Sequence, residues 1–197
     1  MTKVIGLTGG IATGKSTVAS YLQKRGFLVI DADQLVHELQ QPGERLYQAV
    51  VAEFGVDFID EAGSLDRAKL AGIVFSNGTA RKKLSKIQDF IIREELSKRR
   101  KFALSQAEQL FFMDIPLLFE AHYEDFFDEI WLVAVPEEVQ LSRLMARNHL
   151  TEAEAKKRLA SQWPLSEKLA LADRVLDNSG NLTSLYRQID SALEVIC

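Results

Sequence analysis

Eight residues near the start of the chain, Gly9-Gly10-Ile11-Ala12-Thr13-Gly14-Lys15-Ser16, limit what the rest can fold into. They match the pattern G-x-x-x-x-G-K-[ST] at every fixed position, and the pattern acquires chemical meaning between a strand and a helix. Both neighbours are present. Lys3 to Thr8 carries Val4, Ile5 and Leu7 in a short apolar run that predicts a buried strand. Thr17, Val18, Ala19, Tyr21 and Leu22 predict a helix ending at Gly26, a residue suited to a left-handed cap. Gly9, Gly10 and Gly14 are expected to let the backbone take positive φ and approach a polyphosphate closely. Successive N–H groups then form an anion nest, to which the helix N-terminus adds partial positive charge. Lys15 is long enough to reach β- and γ-phosphates, and the Ser16 hydroxyl is placed to ligand Mg²⁺. The alternative, a glycine turn that happens to carry Lys-Ser, does not account for the strand and helix around it. The loop predicts binding of a nucleoside triphosphate with Mg²⁺.

Further strands are predicted at Phe27–Ile30, Leu110–Met113, Ile130–Val135 and Val175–Leu176, with helical spacing between them. Helices are expected over Leu35, Val36 and Leu39; over Leu46 to Phe54, with Gly55 as a cap; and over Ala68 to Phe75, including Val74 and Phe75. Residues 56–64 suggest a loop or small hairpin, and Thr79 to Gln106 one long helix. Pro136 can open a helix at its first turn, Thr151 and Glu154 form a capping box, and Pro164 breaks the helix that follows. A last helix is expected from about Leu182 to Ile196. Alternating strands and helices imply a three-layer α/β/α fold around a five-stranded parallel sheet. The interval from Gln34 to Gln109 is too long for one crossover helix and predicts a helical insertion beside the core.

Ligands in such sheets bind beyond the carboxyl ends of the strands. The rule selects Asp31 and Asp33, Asp114, Pro136 with its helix, and Asn178 with Gly180. The 197 residues allow one domain with an insertion or lid. No apolar run approaches the roughly 20 residues of a membrane span, and the chain enters a strand without a signal-peptide layout. A cytoplasmic protein is expected. A net charge of −4 gives no general pull toward nucleic acid or anionic membrane. Cys197 is the single cysteine, which excludes an intrachain disulfide or a cysteine metal site, and the three histidines are scattered.

A phosphate loop alone leaves a kinase, a GTPase switch or a mechanical ATPase open. No asparagine begins the N-K-x-D of guanine-specific switches, and a motor would need a longer chain, so a small phosphotransferase fits best. A phosphate acceptor is already anionic, whereas an alcohol needs orientation and a proton acceptor. Asp31 and Asp33, one residue apart at a strand end, suit an alcohol, although Asp33 could instead cap the next helix and Asp31 could give only a supporting hydrogen bond. Asp114 could approach the metal. Arg143 and Arg147 lie on the polar side of a helix that could close over the nucleotide, where arginine neutralises the transferring phosphoryl group; the alternative is an ordinary solvated face. Thr79 to Lys101 holds nine Lys or Arg and three Asp or Glu, 9 − 3 = +6, either a solvated face or one that attracts a polyanion. Trp131 and Trp163 are expected in core or rim packing.

Further features stand beside the loop: the full opening IGLTGGIATGKSTV, VIDAD from Val29 to Asp33, His37, DIPLLFE from Asp114 to Glu120, Gln140 with Arg143 and Arg147, and DNSGN near the end. Through them the chain resembles the dephospho-CoA kinase family over nearly its whole length. The resemblance has consequences for activity, domains and site residues. It implies transfer of the ATP γ-phosphate to the ribose 3′-hydroxyl of dephospho-CoA, with Mg²⁺. It implies a nucleotide core over 1–33, 107–139 and 172–197, a helical CoA domain over 34–106 and a lid over 140–171. The implied catalytic residues are Lys15, Asp33 and Arg143. ATP would meet Gly10, Ile11, Ala12, Thr13, Gly14, Lys15, Ser16, Thr17, Arg147, Asn178 and Gly180, the last two near adenine, with Ser16 on the metal. The acceptor would meet Thr8, Asp31, Asp33, Pro116 and Leu117. The implied partners are these two substrates, without nucleic acid or membrane, and the chain is expected as a monomer or weak oligomer. Two departures stand out. Ala12-Thr13 replaces a frequent Gly-Ser, a change the loop should accept, and Gln88-Asp89 replaces His-Pro in the long helix, which without proline should run straighter. The competing readings are a kinase for a shikimate- or gluconate-type acceptor and a nucleotide-dependent switch.

Overall fold

A computed structural model describes residues 2–106 and 109–196, the side chains of 74–76 excepted. Residues 1 and 197 and the first two residues of the expected 107–139 core segment therefore lie outside the described residues, as do the side chains of Val74 and Phe75. The chain divides into two compact units: a sheet unit made of Met1–Asp31 and Ala103–Cys197, and a helical unit, Ala32–Phe102.

In the sheet unit, β1 (Lys3–Gly9), β2 (Leu28–Asp31), β3 (Leu110–Asp114), β4 (Glu129–Ala134) and β5 (Arg174–Asp177) form one parallel sheet in the order β2-β3-β1-β4-β5. The first, third and fourth strands are apolar almost throughout because both faces are covered. On one face Ile5, Leu7, Phe112, Trp131 and Val133 pack against Val18 and Leu22 of α1 (Lys15–Lys24) and Leu185, Ile189 and Leu193 of α9 (Leu182–Ile196). Trp131 is thus core, as expected. The opposite face has a local constraint at Gly6, where a Cβ would stand 2.7 Å from Phe127 and 2.9 Å from Leu118. Helices α6 (Glu137–Asn148), α7 (Glu152–Leu159) and α8 (Leu165–Leu169) belong to this unit. The result is the three-layer α/β/α fold expected. Because β3 and β4 flank β1 on opposite sides, the chain reverses direction across the sheet at β1, whose carboxyl end opens into the phosphate loop.

The element boundaries correct the sequence reading in three places. Pro136 stands just before α6, at its N-cap, rather than inside the first turn. The Thr151–Glu154 capping box is present, with both reciprocal bonds, but Pro164 does more than end a helix: it opens the additional helix α8. Asp33 is not a helix cap. Helix α2 (Ala32–Leu39) has already begun at Ala32, so Asp33 lies exposed in its first turn, and the aspartate immediately before the helix is Asp31.

The helical unit holds α2, α3 (Arg45–Phe54), α4 (Arg67–Ser76) and most of α5 (Gly78–Ser105). Between α3 and α4 lie a 3-10 turn at Val56–Phe58 and an antiparallel bridge from Ile59 to Leu65, the small hairpin that residues 56–64 suggested. Helix α5 runs unbroken through Gln88 and Asp89, where no proline interrupts its hydrogen bonds. Part of its basic run engages neighbouring helices: Lys83 meets Glu53 at 2.5 Å and Arg99 meets Glu38 at 2.5 Å, while Glu94 accepts from Arg45 at 2.7 Å. The Arg99 hydrogen bond holds the Glu38 carboxyl below its ordinary value, and Arg45 does the same for Glu94.

Candidate active site

The phosphate loop is built by close packing as much as by backbone freedom. Of its glycines only Gly14 has positive φ, at 91°. Gly9 and Gly10 serve a different purpose from the one expected. A Cβ on Gly9 would stand 2.6 Å from the Thr13 hydroxyl and 2.9 Å from the Val133 carbonyl, and one on Gly10 would stand 2.5 Å from the Gln140 amide. A Cβ on Gly14 would collide with the Asn178 side chain as well. The second left-handed position is Ala12, with φ of 61°. The Ala-for-Gly change therefore falls where an L-residue is strained, and the loop accepts it at a conformational cost.

Several contacts brace the loop. Thr13 is buried, its hydroxyl donates to the Gly10 carbonyl at 2.9 Å and its N–H donates to the same oxygen at 3.2 Å. The Asn178 amide donates to the Thr13 carbonyl at 2.7 Å, and Arg143 donates to the Asn178 carbonyl at 2.9 Å. The fold thus brings Asn178, Arg143 and Thr13 together. Asn178 lies just beyond β5 and Arg143 on α6, so the brace joins two strand ends. Arg147 lies a turn further on, exposed, bonded to Asn148 at 3.0 Å. Gly180 is exposed after Asn178, and Thr17 donates its N–H to the Gly14 carbonyl at 3.0 Å.

Lys15 forms an ion pair with Asp114, whose side chain is 4% exposed. That contact gives Asp114 a partner the sequence reading did not assign: the loop lysine. Asp114 and Asp31 are register partners at the ends of β3 and β2, so two acids stand side by side at the carboxyl edge, and the chain leaves that edge two residues before Asp33. Thr8 is fully buried and its hydroxyl donates to the Pro116 carbonyl at 3.2 Å. In this structure it exposes no surface to an acceptor; it supports the segment carrying Pro116 and the 44%-exposed Leu117. Among the described residues, no protein acceptor takes the N–H groups of Ala12, Gly14, Lys15 or Ser16. Unsatisfied N–H groups converging at a helix start favour an anion.

Sequence reasoning missed two glutamines. Gln140 enters the sequence analysis only through the resemblance, yet its amide donates to the Ile11 carbonyl at 2.8 Å; Gln162 accepts the Ile11 N–H at 2.9 Å. Spacing carries no signal for contacts made across more than 120 residues.

The sequence model of the dephospho-CoA kinase family matches residues 3–184. The chain belongs to the dephospho-CoA kinase family. A dephospho-CoA kinase of Streptococcus pneumoniae is 53% identical over 194 residues, covering 98% of this chain and 96% of the relative. Among solved structures, the dephospho-CoA kinase of Campylobacter jejuni superposes with a TM-score of 0.76 at 28% identity, covering 100% of this chain and 98% of that one. TT1252 of Thermus thermophilus gives a TM-score of 0.80 at 34% identity, with 100% and 98% coverage. Membership of the dephospho-CoA kinase family makes the chain an ATP-dependent phosphotransferase.

Proposed function

We propose that this chain transfers the γ-phosphoryl group of ATP to the ribose 3′-hydroxyl of dephospho-CoA. The observation that carries the reading is the phosphate loop itself, with unclaimed N–H groups at Ala12, Gly14, Lys15 and Ser16 and a lysine at its centre. In this reading the loop cradles the β- and γ-phosphates and Lys15 neutralises charge spreading over the transferring group. Asp33 orients the 3′-hydroxyl and receives its proton as the new O–P bond forms and ADP leaves with the electrons of the broken one. Arg143 adds positive charge from α6, Arg147 and the segment around Asn178 and Gly180 face the rest of the nucleotide, and Asp31, Pro116 and Leu117 face the acceptor.

The residues present suit Mg²⁺, which is held mainly by substrate phosphates with one or two protein oxygens. Ser16 offers an exposed hydroxyl at the start of α1, and among the described residues no cluster of three or more metal-ligating side chains competes for the ion. When bound there it would offset phosphate charge. The segments 1–33, 107–139 and 172–197 then serve as nucleotide core, 34–106 as acceptor domain and 140–171 as lid. No described helix is long and apolar enough to cross a membrane, which accords with dissolved substrates.

The decisive assay is ADP release from Mg-ATP with and without dephospho-CoA. Strong acceptor-dependent release of one ADP per CoA formed is expected; equal rates with and without the acceptor would remove the proposal.

A further inference from the structure

Lys168 is the odd charge of the sheet unit. Its side chain is 0% exposed on α8, and its ammonium lies 2.6 Å from Glu120 Oε1. Among the described residues neither the ammonium nor Glu120 Oε2 finds a hydrogen-bond partner, and the two side chains meet as a buried ion pair. A leucine or methionine would fill the space without burying an ammonium, since buried ion pairs are seldom better for stability than well-packed apolar side chains. Packing by itself therefore does not explain the pair.

Its neighbours do. Glu120 Oε1 also accepts the Trp163 N–H at 3.1 Å. The residue before Trp163 is Gln162, which accepts the Ile11 N–H at 2.9 Å, while Gln140 donates to the Ile11 carbonyl at 2.8 Å. Ile11 is thus gripped on both sides of its backbone, immediately before the strained Ala12. A cavity of about 360 Å³ opens between Gly10, Gln140, Gln162 and Trp163, and the two glutamine bonds cross from its rim to the loop.

We infer that the Glu120–Lys168 pair is a latch that sets Gln162 against Ile11 and so holds the phosphate loop in its nucleotide-ready shape. Gln162, Glu120 and Lys168 are positioning residues acting through the loop. The inference rests on the reading that this loop receives ATP. Removing the latch lets the 12–13 peptide relax from the left-handed conformation, and ATP must then restore it on binding. The latch therefore acts on ATP affinity and leaves the acceptor side untouched.

The test measures Mg-ATP affinity by calorimetry without acceptor, so that failure of the latch is separable from failure of the kinase reading, which would appear as ADP release indifferent to dephospho-CoA. Glu120→Leu/Lys168→Met replaces the pair by apolar groups, which preserves stability where an ion pair is merely structural. The expected result is an unchanged melting temperature with an ATP Kd raised about tenfold, corresponding to about 1.4 kcal/mol. Gln162→Ala, on a half-buried side chain, should give the same rise, with the KM for dephospho-CoA unchanged. Combining all three substitutions should give no further loss, because both changes cut one chain of contacts. Unchanged affinity in Gln162→Ala overturns the latch, and this variant decides alone should the double variant fail to fold. Multiplicative losses in the combined variant overturn it too. So does tighter ATP binding by Gln162→Ala, which would mean that the glutamine blocks an N–H needed by phosphate.

Discussion

Asp33 and Ala12 show how a residue's role depends on one or two backbone angles. With α2 starting at Ala32, Asp33 stands in the first turn of that helix, two residues past the carboxyl edge where Asp31 and Asp114 are register partners. Asp33→Asn should lower turnover by about 10²-fold or more through lost base and positioning effects. Its ATP affinity by calorimetry should stay within about twofold of wild type, and near-wild-type turnover would discard Asp33 as base. Ala12 makes the opposite kind of prediction. At φ of 61° it bears a left-handed strain of about 1–2 kcal/mol, partly offset in Ala12→Gly by the greater unfolded-state entropy of glycine. Ala12→Gly should be more stable by up to about 1 kcal/mol in denaturant unfolding. A loss of stability would contradict the strain. The sequence carried the identity of Ala12 but not its φ, since the side chains that bond its neighbours Ile11 and Thr13, those of Gln140, Gln162 and Asn178, come from distant segments.

Among the elements, α7 depends most visibly on local code. Thr151 and Glu154 exchange capping bonds, with the Thr151 hydroxyl donating to Glu154 at 2.7 Å. That hydroxyl bond, then the Thr151 N–H, hold the Glu154 carboxyl below its ordinary value. A lowered folded-state pKa gives stability that is complete above the free carboxyl's value of about 4.3 and is lost as pH falls through the lower folded value. Thr151→Ala should therefore lower the melting temperature by about 2–4 °C at neutral pH. The gap from wild type should narrow in scans below about pH 4; a gap constant with pH would show that Glu154 takes no part. This box was legible because both partners lie within four residues. Helix α8 was not, because five residues give too little periodicity and its anchor is Glu120, 48 positions earlier.

For the molecule as a whole, ligand and fold are linked by mass action. Mg-ATP at a hundred times its Kd should stabilise the sheet unit by about 2.7 kcal/mol, seen as a melting shift of about 5–10 °C. Lys15→Ala should abolish most of that shift, and a full shift in the variant would detach the loop lysine from nucleotide binding. The layered α/β/α architecture, the five strands and the phosphate loop could all be read from the chain, because each depends on hydrophobic period and turn chemistry within a few residues. So could the acids at the strand ends, once a parallel sheet was inferred. The strand order, the pairing of Lys15 with Asp114, the packing need for Gly9 and Gly10, and the grip of two glutamines on Ile11 came only from the tertiary structure. Each of these joins segments far apart in sequence, and close packing, which local pattern does not encode, decides which of them meet.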